Sequence, residues 1–366
     1  MRIFIISAVI MMSLATTVGM TLSFAPGFGR APDGAHQALL ARSPNFYDGQ
    51  FHNALPTPML TGDKSRTRLL LEMLFRAKEG LRPDAPLPYF PTDLRTLDPR
   101  QEIIVWLGHS SWYLQMGGKR ILIDPVFSDY AAPFSFVNKA FSRALPWQAE
   151  TMPEIDTLII SHDHYDHLDY ATIKALLPKI RQALVPLGVG SHLRHWGMAP
   201  ARIIESDWHQ SWPLSDTLNV HVLPARHFSG RGLKSNQTLW ASFMFATPDS
   251  KIYYSGDSGY GPHFKEIGQR FGAIDIAIME NGQYDPSWKH IHMMPEEAAQ
   301  GASDLNARAV IPGHAGRFVL ANHKWNDPWR RLVAAAAEKP WTLLTPQMGE
   351  VVRTDHQQPF TTWWQK

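Results

Sequence analysis

Ser161-His162-Asp163-His164-Tyr165-Asp166-His167 gathers three histidines and two carboxylates into one short string. It follows directly on the apolar run Leu158-Ile159-Ile160. Crowded polar side chains next to a core each need a partner, because burying them unpaired is costly. A divalent cation is such a partner, since imidazole and carboxylate are ordinary ligands of zinc and its neighbours. A short apolar run bounded by polar residues reads as a buried strand. The histidines therefore fall in the loop at a strand's end, where a rigid sheet can aim them at one point.

Three more polar points repeat that grammar. His227 follows Val222-Leu223-Pro224-Ala225-Arg226, Asp257 follows Tyr253-Tyr254-Ser255-Gly256, and His314 follows Val310-Ile311-Pro312-Gly313. Taken singly, each is ordinary: a histidine beyond a strand, or an Asp in a glycine-flanked turn. Following the first string in this order, they read together as one metal site.

The elements that must position these residues alternate along the chain. Strands are expected at 103–107, 111–116, 120–123, 157–160, 183–186, 219–223, 242–246, 251–254, 274–279 and 309–311. Helices are expected at 170–177, 264–271, 295–304 and 328–338, with Gly117-Gly118 as a tight hairpin turn. Hairpins dominate the first half and strand–helix alternation the second. That pattern predicts an α/β fold of two sheets covered by helices, an αββα sandwich. Residues 29–100, rich in Pro and Gly with one helical patch at 65–80, read as an extension packing on the main body. Gly188-Val189-Gly190 reads as a turn into a helix rather than a dinucleotide fingerprint, and the Trp363-Trp364 pair as core.

Composition narrows the function. The chain has 366 residues, a formal net charge of +2 and no cysteine. The small charge leaves no nucleic-acid footprint, and the missing cysteines exclude disulfides, thiolate ligands and a thiol nucleophile. At the N-terminus, an uncharged apolar stretch runs from Ile3 to about Phe28 after Met1-Arg2. It is long enough to span a bilayer and lacks a good small-x-small cleavage site. A signal anchor is therefore expected over a cleaved signal peptide, with Arg2 cytoplasmic and the body on the periplasmic or extracellular side.

The order His-x-His-x-Asp-His, His, Asp, His resembles the metallo-β-lactamase superfamily over roughly residues 100–345. Within it, Gly108-His109-Ser110-Ser111, Ile123-Asp124-Pro125-Val126-Phe127, Gly256-Asp257-Ser258-Gly259-Tyr260 and Glu266-Ile267-Gly268 resemble the N-acyl-phosphatidylethanolamine phospholipase D group. So does His292 ahead of Pro295-Glu296-Glu297-Ala298. The resemblance implies His162, His164 and His227 at one metal, Asp166, His167 and His314 at a second, and Asp257 bridging them. It implies two zinc ions, with iron or manganese also compatible with nitrogen and oxygen ligands. Metals ~3.5–4 Å apart would share a hydroxide that attacks phosphorus. Asp166 would orient that hydroxide, and His292 would contact the phosphate or protonate the leaving oxygen. His109, Asp124 and Asp163 would support the ligands.

The expected protein is thus a signal segment at 1–28, the extension at 29–100 and a hydrolase domain at 101–366. Its expected activity is that of a phosphodiesterase on N-acyl-phosphatidylethanolamine-like lipids. A metal-dependent lactonase or other ester hydrolase is the alternative, and a non-catalytic envelope protein is a more distant one. Expected partners are a phospholipid or other small-molecule substrate, the membrane through the N-terminal segment, and a second copy in a homodimer.

Overall fold

The computed structural model describes residues 25–62, 64–75, 79–142, 145–232, 234–354 and 358–365, with Met12, Ser13, Thr16 and Gly19. Most of the apolar N-terminal run lies outside these residues. Among those described, no helix is long and apolar enough to cross a membrane.

The N-terminal extension carries helices α1 (Gly34–Leu40) and α2 (Arg66–Phe75) and a small hairpin, β1 (Phe46–Tyr47) with β2 (Gln50–Phe51). Among its described residues, Leu40, Phe51, Leu87 and Leu94 are buried in the main hydrophobic cluster.

The body is built from two seven-stranded mixed sheets. The first contains β3 (Ile103–Gly108), β4 (Ser111–Met116), β5 (Lys119–Ile123), β6 (Ile155–Ile159), β7 (Ile180–Pro186) and β8 (Ile203–Ser206), with β16 (Val351–Arg353) beside β3. The second runs β15-β14-β13-β12-β11-β10-β9. Its strands are β9 (Ser211–Pro213), β10 (Asn219–Leu223), β11 (Ser242–Ala246), β12 (Lys251–Tyr254), β13 (Ile274–Glu280), β14 (Ala307–Gly313) and β15 (Thr342–Leu343). Both sheets follow one plan: three antiparallel pairings, then three parallel ones.

Side-chain alternation shows how the layers stack. In the second sheet Phe243, Phe245, Ile252, Tyr254, Ile276 and Ile278 share one buried cluster with the first sheet. Their neighbours Met244, Tyr253, Ala277 and Met279 face the other way. There they meet α5 (His263–Phe271) through Phe264 and Ile267, α6 (Pro295–Asp304) through Ala298 and Ala302, and α7 (Asp327–Ala336) through Leu332. Period two is what a strand buried on both faces requires. Helices α3 (Tyr170–Leu176) and α4 (Gly190–His195) follow β6 and β7. Trp363 and Trp364 are buried, as expected of core residues.

The strand positions match the sequence expectation closely; β8, β9, β15 and β16 were not anticipated. Gly117 and Gly118 have φ of 54° and 71°, the left-handed pair that the β4–β5 turn needs. The parallel strands β5, β6, β12, β13 and β14 end on one side of the molecule, and the polar residues of interest follow those ends.

Candidate metal centre

The loop after β6 is pinned before it delivers any ligand. The Ser161 amide donates to Asp124 Oδ1 at 2.7 Å and the Ser161 hydroxyl to Asp124 Oδ2 at 2.5 Å. The chain then turns tightly, with the Leu168 amide donating to the His164 carbonyl at 2.8 Å. His227 is set from outside the main domain. Asn53 donates from Nδ2 to the His227 carbonyl at 2.7 Å and accepts the His227 amide at 3.0 Å.

The expected ligands come together as two adjoining groups. His162, His164, His227 and Asp257 have donor atoms all within 4.8 Å of one another, and so do His109, Asp166, His167 and His314. In the first group His164 Nδ1 lies 2.9 Å from His162 Nε2 and 3.2 Å from His227 Nε2. Asp257 touches both groups. Its Oδ2 is 3.1 Å from His167 Nε2 and 3.8 Å from both His162 Nε2 and His227 Nε2, while Oδ1 is 3.1 Å from His314 Nδ1.

One ring nitrogen of each of three histidines is held by a neighbour. His227 Nδ1 donates to the Ile291 carbonyl at 2.8 Å, and His167 Nδ1 to Asp124 Oδ2 at 2.8 Å. His314 Nδ1 meets the Ser110 hydroxyl at 2.8 Å. These bonds set ring orientation and leave the other nitrogens facing inward. His167 Nε2, His314 Nε2 and Asp257 Oδ1 are buried without a hydrogen-bond partner. Orphaned buried atoms of this kind are costly, and cations would satisfy them. The donor set therefore fits a pair of divalent ions.

The electrostatics of four of the histidines agree with that fit. Burial pushes His162, His227 and His314 well below the usual imidazole range, and His164 down to about 4, leaving neutral rings with free lone pairs. Burial alone would lower His167 too, but Asp257 and Asp166 raise it well above normal. Burial, with Glu280 adding repulsion, raises Asp257 to about 7 against the pull of His167.

Three residues need comment. His109 is fully buried and donates from Nε2 to Asp166 Oδ2 at 3.0 Å, so it orients that carboxylate. Asp163 does not orient a ligand histidine. It meets His192 Nε2 at 3.4 Å and accepts the Gly230 amide at 2.7 Å, which fastens the loop following His227. Glu280, which sequence reasoning missed, is buried at the end of β13 and bonds His292 Nδ1. Burial holds its carboxyl well above the usual range. The His292 ring stacks 5.3 Å from that of His314.

Backbone strain gathers here as well. Of nine described non-glycine residues with positive φ, His109, Asp124, Gln283 and His314 surround the site. Gly259 allows close approach, since a Cβ there would lie 2.0 Å from the His290 carbonyl. A cavity of about 460 Å³ opens above His164, Asp166, Asp257, His292 and His314. The rest of its lining is mostly apolar, with Met59, Leu60, Phe228, Trp288, Ile291 and Leu320 beside Ser235 and Gln283.

Residues 119–315 match the beta-lactamase superfamily domain. The chain belongs to the metallo-β-lactamase superfamily and is a metal-dependent hydrolase. It is 40% identical over 332 residues to an uncharacterized protein of Mycobacterium tuberculosis, covering 90% of this chain and 89% of that one. It is 31% identical over 264 residues to the N-acyl-phosphatidylethanolamine-hydrolyzing phospholipase D 1 of Caenorhabditis elegans, covering 67% of this chain and 74% of that protein. In fold it is similar to Igni18, a metallo hydrolase of Ignicoccus hospitalis, with a TM-score of 0.53 at 19% identity over 69% of this chain and 97% of that one.

The Asn53 clasp has a measurable consequence. Asn53→Ala leaves the His227 backbone without its two-way partner, and metal affinity is expected to fall about tenfold, as when the supports of a ligand are removed. Competition against a fluorescent chelator measures this, and an unchanged affinity would show that the clasp does not position His227.

Proposed function

We propose that the protein is a di-zinc phosphodiesterase of phospholipase D type, acting on N-acyl-phosphatidylethanolamine-like lipids. The observation that carries this reading is Asp257: its Oδ2 lies beside His162 and His227 of one group and His167 of the other, while its Oδ1 reaches His314. Such a carboxylate sets two cations at the spacing that phosphoryl transfer uses. The mostly apolar lining of the cavity suits an acylated substrate. The kinship with a nematode phospholipase D supports the same class.

The residues divide the work. His162, His164 and His227 would hold one ion, Asp166, His167 and His314 the other, with Asp257 between them. Bound ions would supply a water nucleophilic at neutral pH and offset charge on the phosphoryl oxygens. Water oxygen forms a bond to phosphorus while the bond from phosphorus to the N-acylethanolamine oxygen breaks, leaving a phosphatidic acid. Asp166, steadied by His109, accepts a hydrogen bond from the attacking water. His292, its Nδ1 tied to Glu280, would pass a proton from Nε2 to the departing oxygen.

The test pairs metal analysis with hydrolysis of bis(p-nitrophenyl) phosphate and of N-acyl-phosphatidylethanolamine micelles. Two equivalents of metal and turnover of both, lost with chelator and restored by zinc, is the expected result. Two equivalents with turnover of a lactone and of neither phosphodiester would overturn the phosphodiesterase reading.

A further inference from the structure

Residues 128–141 form a projecting hairpin with a rigid base and an apolar tip. At the base the Ala140 amide donates to Asp129 at 2.8 Å and the Ala131 amide to Asn138 at 3.1 Å, with Tyr130 and Lys139 bridged antiparallel. Arg82 clamps the outer side, donating at 2.6 Å to the carbonyls of both Lys139 and Ala140. Ala131 and Ala140 are buried with Val126 and Phe318. The tip is the reverse: Phe134, Phe136 and Val137 are 38%, 73% and 37% exposed. Holding aromatic rings in water on a fastened hairpin is unfavourable unless something apolar receives them.

The chain itself indicates what that is. The uncharged apolar run of the sequence extends to about Phe28, and its last residues lie against this hairpin. Gly27 packs against Pro133, and the Phe28 ring meets that of Phe134 edge-on at 5.9 Å. Phe134 in turn stacks on Phe136 at 5.7 Å. Behind this row, Arg231 donates to the Gly27 carbonyl at 2.6 Å and Trp196 to the Pro26 carbonyl at 2.9 Å, fixing the junction to the body. Exposed Arg30 and Lys139 flank it with positive charge. An aromatic tip with basic neighbours at the end of an apolar segment is suited to the headgroup boundary of a bilayer.

We propose that the 128–141 hairpin is a membrane-docking element, with Phe134, Phe136 and Val137 seated in the bilayer interface. The hairpin follows the end of β5 on the side that carries the metal centre, and Leu320 both packs against its base and lines the cavity. Docking therefore brings the cavity close to the membrane. This stands apart from the choice of substrate, because it concerns orientation rather than turnover.

The absence of native cysteine makes the test clean. Ser135→Cys labels the tip while keeping both phenylalanines, and Asp249→Cys labels the β11–β12 turn at the opposite ends of the strands. Each full-length variant, carrying a nitrobenzoxadiazole label, is reconstituted into phosphatidylcholine–phosphatidylglycerol vesicles containing lipids with doxyl-labelled acyl chains. The expected result is lipid quenching at position 135 and none at 249, with the quenching lost when Phe134→Ser and Phe136→Ser are added. A tip label that stays open to aqueous iodide, or quenching that survives the two serines, would overturn the proposal. Energy transfer between labelled copies in place of lipid quenching would overturn it too, by assigning the tip to a second copy.

Discussion

Asp257→Asn is expected to remain folded and to lose phosphodiesterase turnover by about a thousandfold or more. Asparagine matches aspartate in size, so the turn after β12 and its packing against His290 survive. What goes is the charge and one of two acceptor oxygens. In the wild type both oxygens are used, one toward His167 and the first group, the other toward His314. An amide offers one oxygen and one donor, and a donor facing a cation is repelled. The spacing of two ions then has nothing to enforce it. Several kcal/mol of charge stabilisation in the transition state is what a paired site contributes, and about 1.4 kcal/mol is tenfold in rate. Turnover of bis(p-nitrophenyl) phosphate and metal content, measured on one preparation, are the readouts. Wild-type rates with two equivalents of metal would overturn the bridging role.

The second large effect is on stability. Asp124 is wholly buried and accepts from the Ser161 amide, the Ser161 hydroxyl, His167 Nδ1 and, at 2.6 Å, the Tyr254 hydroxyl. It thus ties the end of β5 to the loop after β6 and to β12 in the other sheet. Asp124→Ala strands all of these donors in a dry interior. Breaking such a buried network costs on the order of 3–5 kcal/mol, and losing a ligand's support weakens metal binding by a further ~10–100-fold. Urea unfolding followed by tryptophan fluorescence in the presence of chelator isolates the first effect, and metal competition reports the second. A midpoint unmoved by the substitution would show that water replaces the carboxylate.

The ligands were legible in the sequence because each follows a strand whose apolar run is itself legible, so chemistry and position could be read together. Both sheets announced themselves through the same runs. The edge strands did not: Ser211–Pro213 is largely exposed and contains a proline, and β15 is two residues long, so neither carries a burial pattern. Glu280 was hidden because a glutamate before Asn281-Gly282 reads as a turn at a strand's end. Its burial arises from residues 12 or more positions away, among them His292 and His314. Asn53 lies 174 positions from the histidine it clasps, beyond the reach of any local pattern. Asp163 misled for the opposite reason. It stands between two ligands in sequence, but alternation along the loop turns it to the far side, toward His192.

The shared plan of the two sheets carries a consequence of its own. One sheet delivers His162, His164, Asp166 and His167, and the other delivers His227, Asp257 and His314. Neither half holds a complete set of these donors, so a cation bound among them would act as a fastener across the seam. Binding free energy gained there is folding free energy for the whole body. The supply of metal would thereby govern how much folded protein persists as well as how fast it works.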